Sequence, residues 1–89
     1  SPTIIGAQAA NELLDIEGIR ASFVLTVYQG RIYVSARSID EVNVQIIMER
    51  LGGGGHMNAS GTQFDHTNME EAVNCVKAQI DRMIEEGDI

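Results

Sequence analysis

The sequence predicts an α/β (α+β) domain in which a small mixed β-sheet of three or more strands carries packed helices, in the order α-β-β-α-β-α. Three observations carry this expectation. Two runs rich in Val, Ile, Tyr and Thr flank Gln29-Gly30. Apolar residues recur at helical spacing after two segments of capping-box form, Ser38-Ile39-Asp40-Glu41 and Thr67-Asn68-Met69-Glu70. A chain of 89 residues with 44% hydrophobic content supplies one core and too little for two.

The elements follow in order. From about Thr3 to Asp15 the pattern reads as a helix with Thr3 as N-cap and Ile5, Ala9, Leu13 and Ile16 at roughly helical spacing. Ala21 to Tyr28 and Arg31 to Arg37 read as the strands of a hairpin, because Gln29-Gly30 is a two-residue connection with glycine where positive φ is useful. The box at Ser38 introduces a helix to Leu51, with Val44, Ile47, Met48 and Leu51 at i, i+3, i+4, i+7 and Gly52 as a left-handed C-terminal cap. Ser60 to Asp65 is a short strand. The box at Thr67 introduces the final helix, with Met69, Ala72, Val73, Val76, Ile80, Met83 and Ile84 on one face. Cys75 lies beside that face with no basic neighbour to activate it and is expected to be buried or half-buried.

A direct right-handed crossover would set Ser60–Asp65 parallel to Arg31–Arg37. That pairing separates Arg37 from the glycines that precede the later strand. Antiparallel strands, or a loop that travels back, would bring them together, and the sequence leaves both open.

Composition narrows the function classes. The net charge of −7 argues against a general nucleic-acid surface, which draws on excess Lys and Arg. The charge is concentrated at the ends: residues 1–19 carry Glu12, Asp15 and Glu17 with no base, and residues 67–89 carry six acids against Lys77 and Arg82. Residues 20–66 are balanced, with Arg20, Arg31, Arg37 and Arg50 against Asp40, Glu41, Glu49 and Asp65. A single cysteine excludes an intramolecular disulfide, so a reducing cytoplasm is expected. No apolar run approaches the roughly 18–20 residues that cross a bilayer, so no membrane contact by this segment is expected, whether or not its parent is anchored. The chain opens on Ser1-Pro2-Thr3 and enters a helical pattern at once, so residues 1–89 are read as one domain of a larger protein.

The stretch that carries chemistry is Leu51-Gly52-Gly53-Gly54-Gly55-His56-Met57-Asn58-Ala59-Ser60-Gly61. Four consecutive glycines carry a backbone-entropy cost that ordinary turns avoid, and one helix cap needs only one of them. The others permit positive φ, expose successive N–H groups and admit a ligand where a Cβ would stand, which is how anion-binding nests are built. The alternative is a hinge or a crowded turn. The run is neither a P-loop nor a dinucleotide fingerprint, because both need a strand before the glycines and a helix after them. His56, directly after the run, can donate to a phosphate or a base edge. Tyr28 and Tyr33 could stack on a base, although sheet positions account for both.

Gly52-Gly53-Gly54-Gly55-His56 followed by Ala59-Ser60-Gly61 resembles the Gly-Gly-Gly-His-x-x-Ala-Ala-Gly (GGGH) signature of the DHH-associated domain, the C-terminal domain of DHH-superfamily phosphoesterases. Ser35-Ala36-Arg37-Ser38 is similar to that domain's Ser-x-Arg-Ser segment. The extra glycine, Met48-Glu49-Arg50-Leu51 and Thr62-Gln63 look closest to the branch that hydrolyses cyclic di-AMP, while Ser60 stands where the signature has its second alanine. The resemblance implies a substrate-binding domain: Gly53, Gly54, Gly55 and His56 contact substrate phosphate or nucleotide, and Arg37 is a further phosphate ligand. The implied partners are cyclic di-AMP or a linear dinucleotide, together with an N-terminal DHH catalytic domain of the same chain that carries manganese. No cofactor is expected in this domain.

Two-metal hydrolysis needs several carboxylates and histidines around ions about 3.5–4 Å apart. This chain has no Asp-His-His motif, and Asp65-His66 with His56 could offer at most three ligands, the simpler reading being a polar turn before the last helix. No catalytic or metal-binding residue is therefore expected here. Two other functions stay open: an RNA- or single-stranded-DNA-binding appendage like those of alanyl-tRNA synthetases and single-strand exonucleases, and half of a short-oligonucleotide phosphodiesterase. Few aromatics and no lysine clusters speak against the first, since single-strand binders use basic grooves and stacking rings.

Overall fold

A computed structural model describes residues 1–87. Its elements are α1 (Pro2–Leu13), β1 (Ala21–Tyr28), β2 (Arg31–Ser38), α2 (Val44–Arg50), β3 (Gly54–His56), β4 (Ala59–Phe64) and α3 (Met69–Glu85). The four strands form one sheet in the order β1-β2-β4-β3. The expected class is present, with one strand more than the predicted order.

Every strand pair is antiparallel, so the sheet is not mixed. The reason is β3. After α2 the chain enters the sheet at its far edge, turns at Met57-Asn58 and returns as β4 between β3 and β2. The return reverses β4 relative to β2 and pairs Arg37 with Ala59, which brings the arginine to the glycine hairpin and removes the parallel arrangement. The turn is held by its backbone: Ser38 N–H donates to the Asn58 carbonyl at 3.0 Å and Val44 N–H to that of Met57 at 2.9 Å.

Pleating sorts the side chains into two faces. Val34 and Ala36 of β2 meet Val44, Ile47 and Met48 of α2 and Val76 and Met83 of α3, and Phe23 and Leu25 of β1 pack against that cluster. The opposite face is covered by α1 alone, over β1 and β2. There Ser22 Oγ donates to the Ala10 carbonyl at 2.7 Å, and a Cβ on Gly6 would stand 2.8 Å from Ser35 Oγ. This close approach corrects the expected apolar stripe of α1. The buried residues are Gly6 and Ala10, while Ile5, Leu13 and Ile16 are exposed, because small residues let helix and sheet come together.

Three caps also differ from expectation. Ser1, not Thr3, is the N-cap of α1. α2 begins at Val44 with Asn43 as cap, its side chain accepting from Ile46 N–H at 3.3 Å. The Ser38 hydroxyl is committed elsewhere, donating to the Val42 carbonyl at 2.6 Å while Asn58 Nδ2 donates to it at 2.9 Å. Local side-chain bonds of this kind compete with helix initiation. At α3 the cap is Asn68, bonded by Glu71 N–H at 2.8 Å, one residue beyond the predicted Thr67. Cys75 is exposed rather than buried, since α3 presents Ala72, Val76 and Met83 to the core.

Ser60 is 6% exposed and its hydroxyl has no hydrogen-bond partner. A buried polar group left unpaired costs about 1–3 kcal/mol. We therefore expect Ser60→Ala to raise stability by roughly 1 kcal/mol, and a lower urea midpoint at constant m-value would refute this.

Candidate functional site

Because α1 covers only β1 and β2, the half of that face formed by β4 and β3 is open. A groove of about 660 Å³ lies there. Its wall is the segment Gly52–Gly55, its floor is β2 and β4, and Thr3 at the start of α1 stands at its other side. Register defines the floor, since directly opposed residues in antiparallel strands share a face. One row is Arg37, Ala59 and His56; the next is Ser35, Gly61 and Gly54; the third holds Tyr33 and Gln63. The middle row has no side chain larger than serine, which leaves a trough.

The glycines divide by what fixes them. Gly52 (φ +88°) closes α2: its N–H donates to the Glu49 carbonyl at 3.1 Å, and Gly53 N–H donates to the Met48 carbonyl at 2.8 Å. This is the paired bonding of a Schellman cap, in which the left-handed residue favours glycine. A Cβ on Gly53 would stand 2.0 Å from the Gly61 carbonyl oxygen and 2.6 Å from Thr62 Cβ. Gly55 (φ +141°) is crowded in the same way, 2.6 Å from the Ala59 carbonyl oxygen. Gly54 is different. Its φ is ordinary, and a Cβ there would meet nothing within 4 Å. Helix capping and packing thus explain Gly52, Gly53 and Gly55, and leave Gly54, facing the groove, without a folding reason to lack a side chain.

Arg37 is half-buried in the same groove. Its Nη1 donates to the Ala36 carbonyl at 2.8 Å and to that of Ser60 at 3.4 Å, which hold the guanidinium without neutralising it. The other arginines have acidic partners: Arg20 with Glu41 at 3.0 Å, Arg31 with Asp65 at 3.2 Å, and Arg50 and Arg82 both with Glu86, at 2.9 and 3.7 Å. Among the described residues Arg37 is the one arginine without such a pair. A guanidinium offers five donors in a planar fork that matches phosphate and carboxylate oxygens.

The structure therefore brings together Arg37, Gly53, Gly54 and Gly55. His56 is exposed and does not line the groove; its register row places it about 10 Å from Arg37, two inter-strand spacings away. Among the described residues no three His, Cys, Asp or Glu side chains converge on a metal position, and no hydrolytic step is assigned to them. Among the described residues no helix is long and apolar enough to cross a membrane. The sequence leaves Tyr33 open between a base-stacking and a sheet role and gives Gln63 no role in the site, yet both line the groove. Alternation along β2 puts Tyr33 on the face of Arg37, whereas Gln63 joins them only through the register of β4 with β2, which no single strand reveals.

These features define a small α/β domain with a glycine-walled groove on a half-covered sheet. Its fold and sequence place it among known proteins. The model of the DHHA1 domain matches residues 3–82, and the chain belongs to that family, as the glycine-histidine segment led us to expect. Domains of this family occur with DHH catalytic domains in phosphodiesterases. The chain is 45% identical over 80 residues to the cyclic-di-AMP phosphodiesterase PdeA of Listeria monocytogenes, covering 89% of this chain and 12% of that protein. It is 42% identical over 85 residues to the cyclic-di-AMP phosphodiesterase GdpP of Bacillus subtilis, covering 94% of this chain and 13% of that one. An exopolyphosphatase-related protein from Bacteroides fragilis superposes with a TM-score of 0.78 at 31% identity, over 83% of this chain and 22% of that chain. The chain thus spans about an eighth of the length of the two curated relatives.

Proposed function

We propose that this domain holds and orients the phosphates of cyclic di-AMP, or of the linear dinucleotide derived from it, for a DHH catalytic domain that supplies manganese-dependent hydrolysis. The observation that carries the reading is the meeting of Arg37, which has no carboxylate partner among the described residues, with Gly54, whose missing Cβ has no folding explanation, across one groove. The N–H groups of Gly52 and Gly53 are committed to the cap of α2, so the donor offered to phosphate oxygens is the planar fork of Arg37, and the glycine wall lets a phosphate come close to it. His56, at the end of the same register row, can reach a ligand that extends past the hairpin. The similarity to PdeA and GdpP supports the choice of nucleotide. Holding the phosphates in place is itself a catalytic contribution, because orientation converts an encounter into a positioned reaction.

The test is a titration of isotope-labelled protein with cyclic and linear di-AMP, following backbone amides. Saturable shifts centred on Gly52–His56 and Arg37 are expected, and shifts scattered over α3 instead would sink the reading. Incubation with cyclic di-AMP and manganese should yield no product from this chain alone; turnover by the purified protein would show that it contains a hydrolytic centre.

A further inference from the structure

We infer that the far end of the groove is a base subsite in which the ring of Tyr33 stacks on the base and the side-chain carbonyl of Gln63 accepts a hydrogen bond from an exocyclic amino group, selecting adenine over a 6-oxo purine. The inference rests on the phosphate reading above and extends it to what lies one sugar away.

The geometry starts from the register. Tyr33 and Arg37 project from the same face of β2, four residues apart, and so stand about 13 Å from each other along the strand. Between them lies the row of Ser35, Gly61 and Gly54. The groove is therefore charged at one end, empty in the middle and aromatic at the other, in the order phosphate, sugar, base. Its volume of about 660 Å³ is in the range of small-molecule sites. Tyr33 is half-buried, flanked by Thr26 on β1, on the side that α1 covers, and by Gln63 on β4, on the open side. A flat ring at such a position is a stacking platform.

Gln63 supplies the selectivity because its amide has only one sensible orientation. Asp65 Oδ1 lies 3.2 Å from Gln63 Nε2 and 3.2 Å from Arg31 Nε. An ionised carboxylate accepts and never donates, so the amide must turn its NH₂ toward Asp65. The oxygen Oε1 is left as an acceptor. Adenine offers an N6 amino donor at the edge where guanine and hypoxanthine carry an acceptor oxygen, and two facing acceptors repel. Arg31 and Asp65 act as positioning residues: they hold the glutamine in the orientation that favours the amino base.

The test compares three probes on the 89-residue chain, read by amide shifts and by the fluorescence of its two tyrosines, undiluted by any tryptophan. The probes are ribose 5-phosphate, 5′-AMP, and 5′-IMP, which differs from AMP in carrying oxygen for the exocyclic amino group. We expect AMP to bind at least about tenfold more tightly than ribose 5-phosphate, with tyrosine quenching, and about tenfold more tightly than IMP. Tyr33→Leu should bring AMP down to the level of ribose 5-phosphate without changing the latter, and Tyr33→Phe should keep the preference. Gln63→Met should equalise AMP and IMP. If AMP binds no better than ribose 5-phosphate while both shift the amides of Arg37 and Gly54, the base subsite is wrong and the phosphate reading stands. If no probe moves those amides, the phosphate reading fails and takes the subsite with it. Equal affinity for AMP and IMP in the unaltered protein overturns the role of Gln63.

Discussion

Gly53→Ala should be the most damaging single-methyl change in the glycine run, lowering stability by about 3 kcal/mol or more. The new Cβ would stand 2.0 Å from the Gly61 carbonyl oxygen and 2.7 Å from Thr62 Cα, and both are backbone, so no side-chain rotation relieves the overlap. Either β3 parts from β4 or the cap of α2 opens, because Gly53 N–H is the donor to the Met48 carbonyl. A domain of this size holds roughly 4–13 kcal/mol in total. A loss of 3 kcal/mol lowers the midpoint of thermal unfolding by about 12–24 °C. Gly54→Ala is the control one residue away. Its Cβ enters open space at an ordinary φ, so stability should stay unchanged or rise by up to about 1 kcal/mol as the unfolded chain loses freedom. Thermal melts of the two variants side by side decide the matter. Equal losses would mean that the distinction between packed and open glycines is false.

That distinction marks where the sequence stopped being legible. Four glycines in a row signal that side chains are excluded, but not by what. Gly52 was legible as the left-handed cap of α2, because its bonds are local, whereas the backbone contact at Gly53 is a long-range fact, set by the return of β4 against the end of α2. The same hairpin hid β3, since Gly54-Gly55-His56 has none of the β-branched or aromatic character that marks a strand. Without β3 the direction of β4 stayed open, and with it the proximity of Arg37. The hairpin of β1 and β2 was readable because composition, alternation and turn agreed, and α3 because its cap and apolar stripe agreed. In α1 the large apolar positions Ile5 and Leu13 stand one residue out of phase with the buried Gly6 and Ala10, whose small size serves close approach to the sheet, and apolar spacing does not reveal that. His56 was grouped with the glycines by adjacency, whereas the sheet sets it at the groove's outer edge.

Arg37→Gln is expected to have the largest effect on binding, weakening affinity for phosphate-bearing nucleotides by roughly 10–150-fold, the equivalent of about 1.5–3 kcal/mol for a hydrogen bond to a charged group. The argument turns on what Arg37 is doing without ligand. Were it a structural ion pair, its removal would strand a carboxylate, but none is paired with it among the described residues. Its own bonds run to the carbonyls of Ala36 and Ser60, both already within the sheet, so glutamine should cost stability only about 1 kcal/mol. Binding and folding thus separate at this position, the reverse of Gly53. Arg37→Lys sharpens the point. It keeps the charge and loses the planar fork, so an intermediate affinity with steeper salt dependence is expected if the fork contributes. Isothermal titration with cyclic di-AMP at two salt concentrations, beside urea melts of each variant, measures both quantities. Unchanged affinity in Arg37→Gln would remove the arginine from the site and the phosphate reading with it.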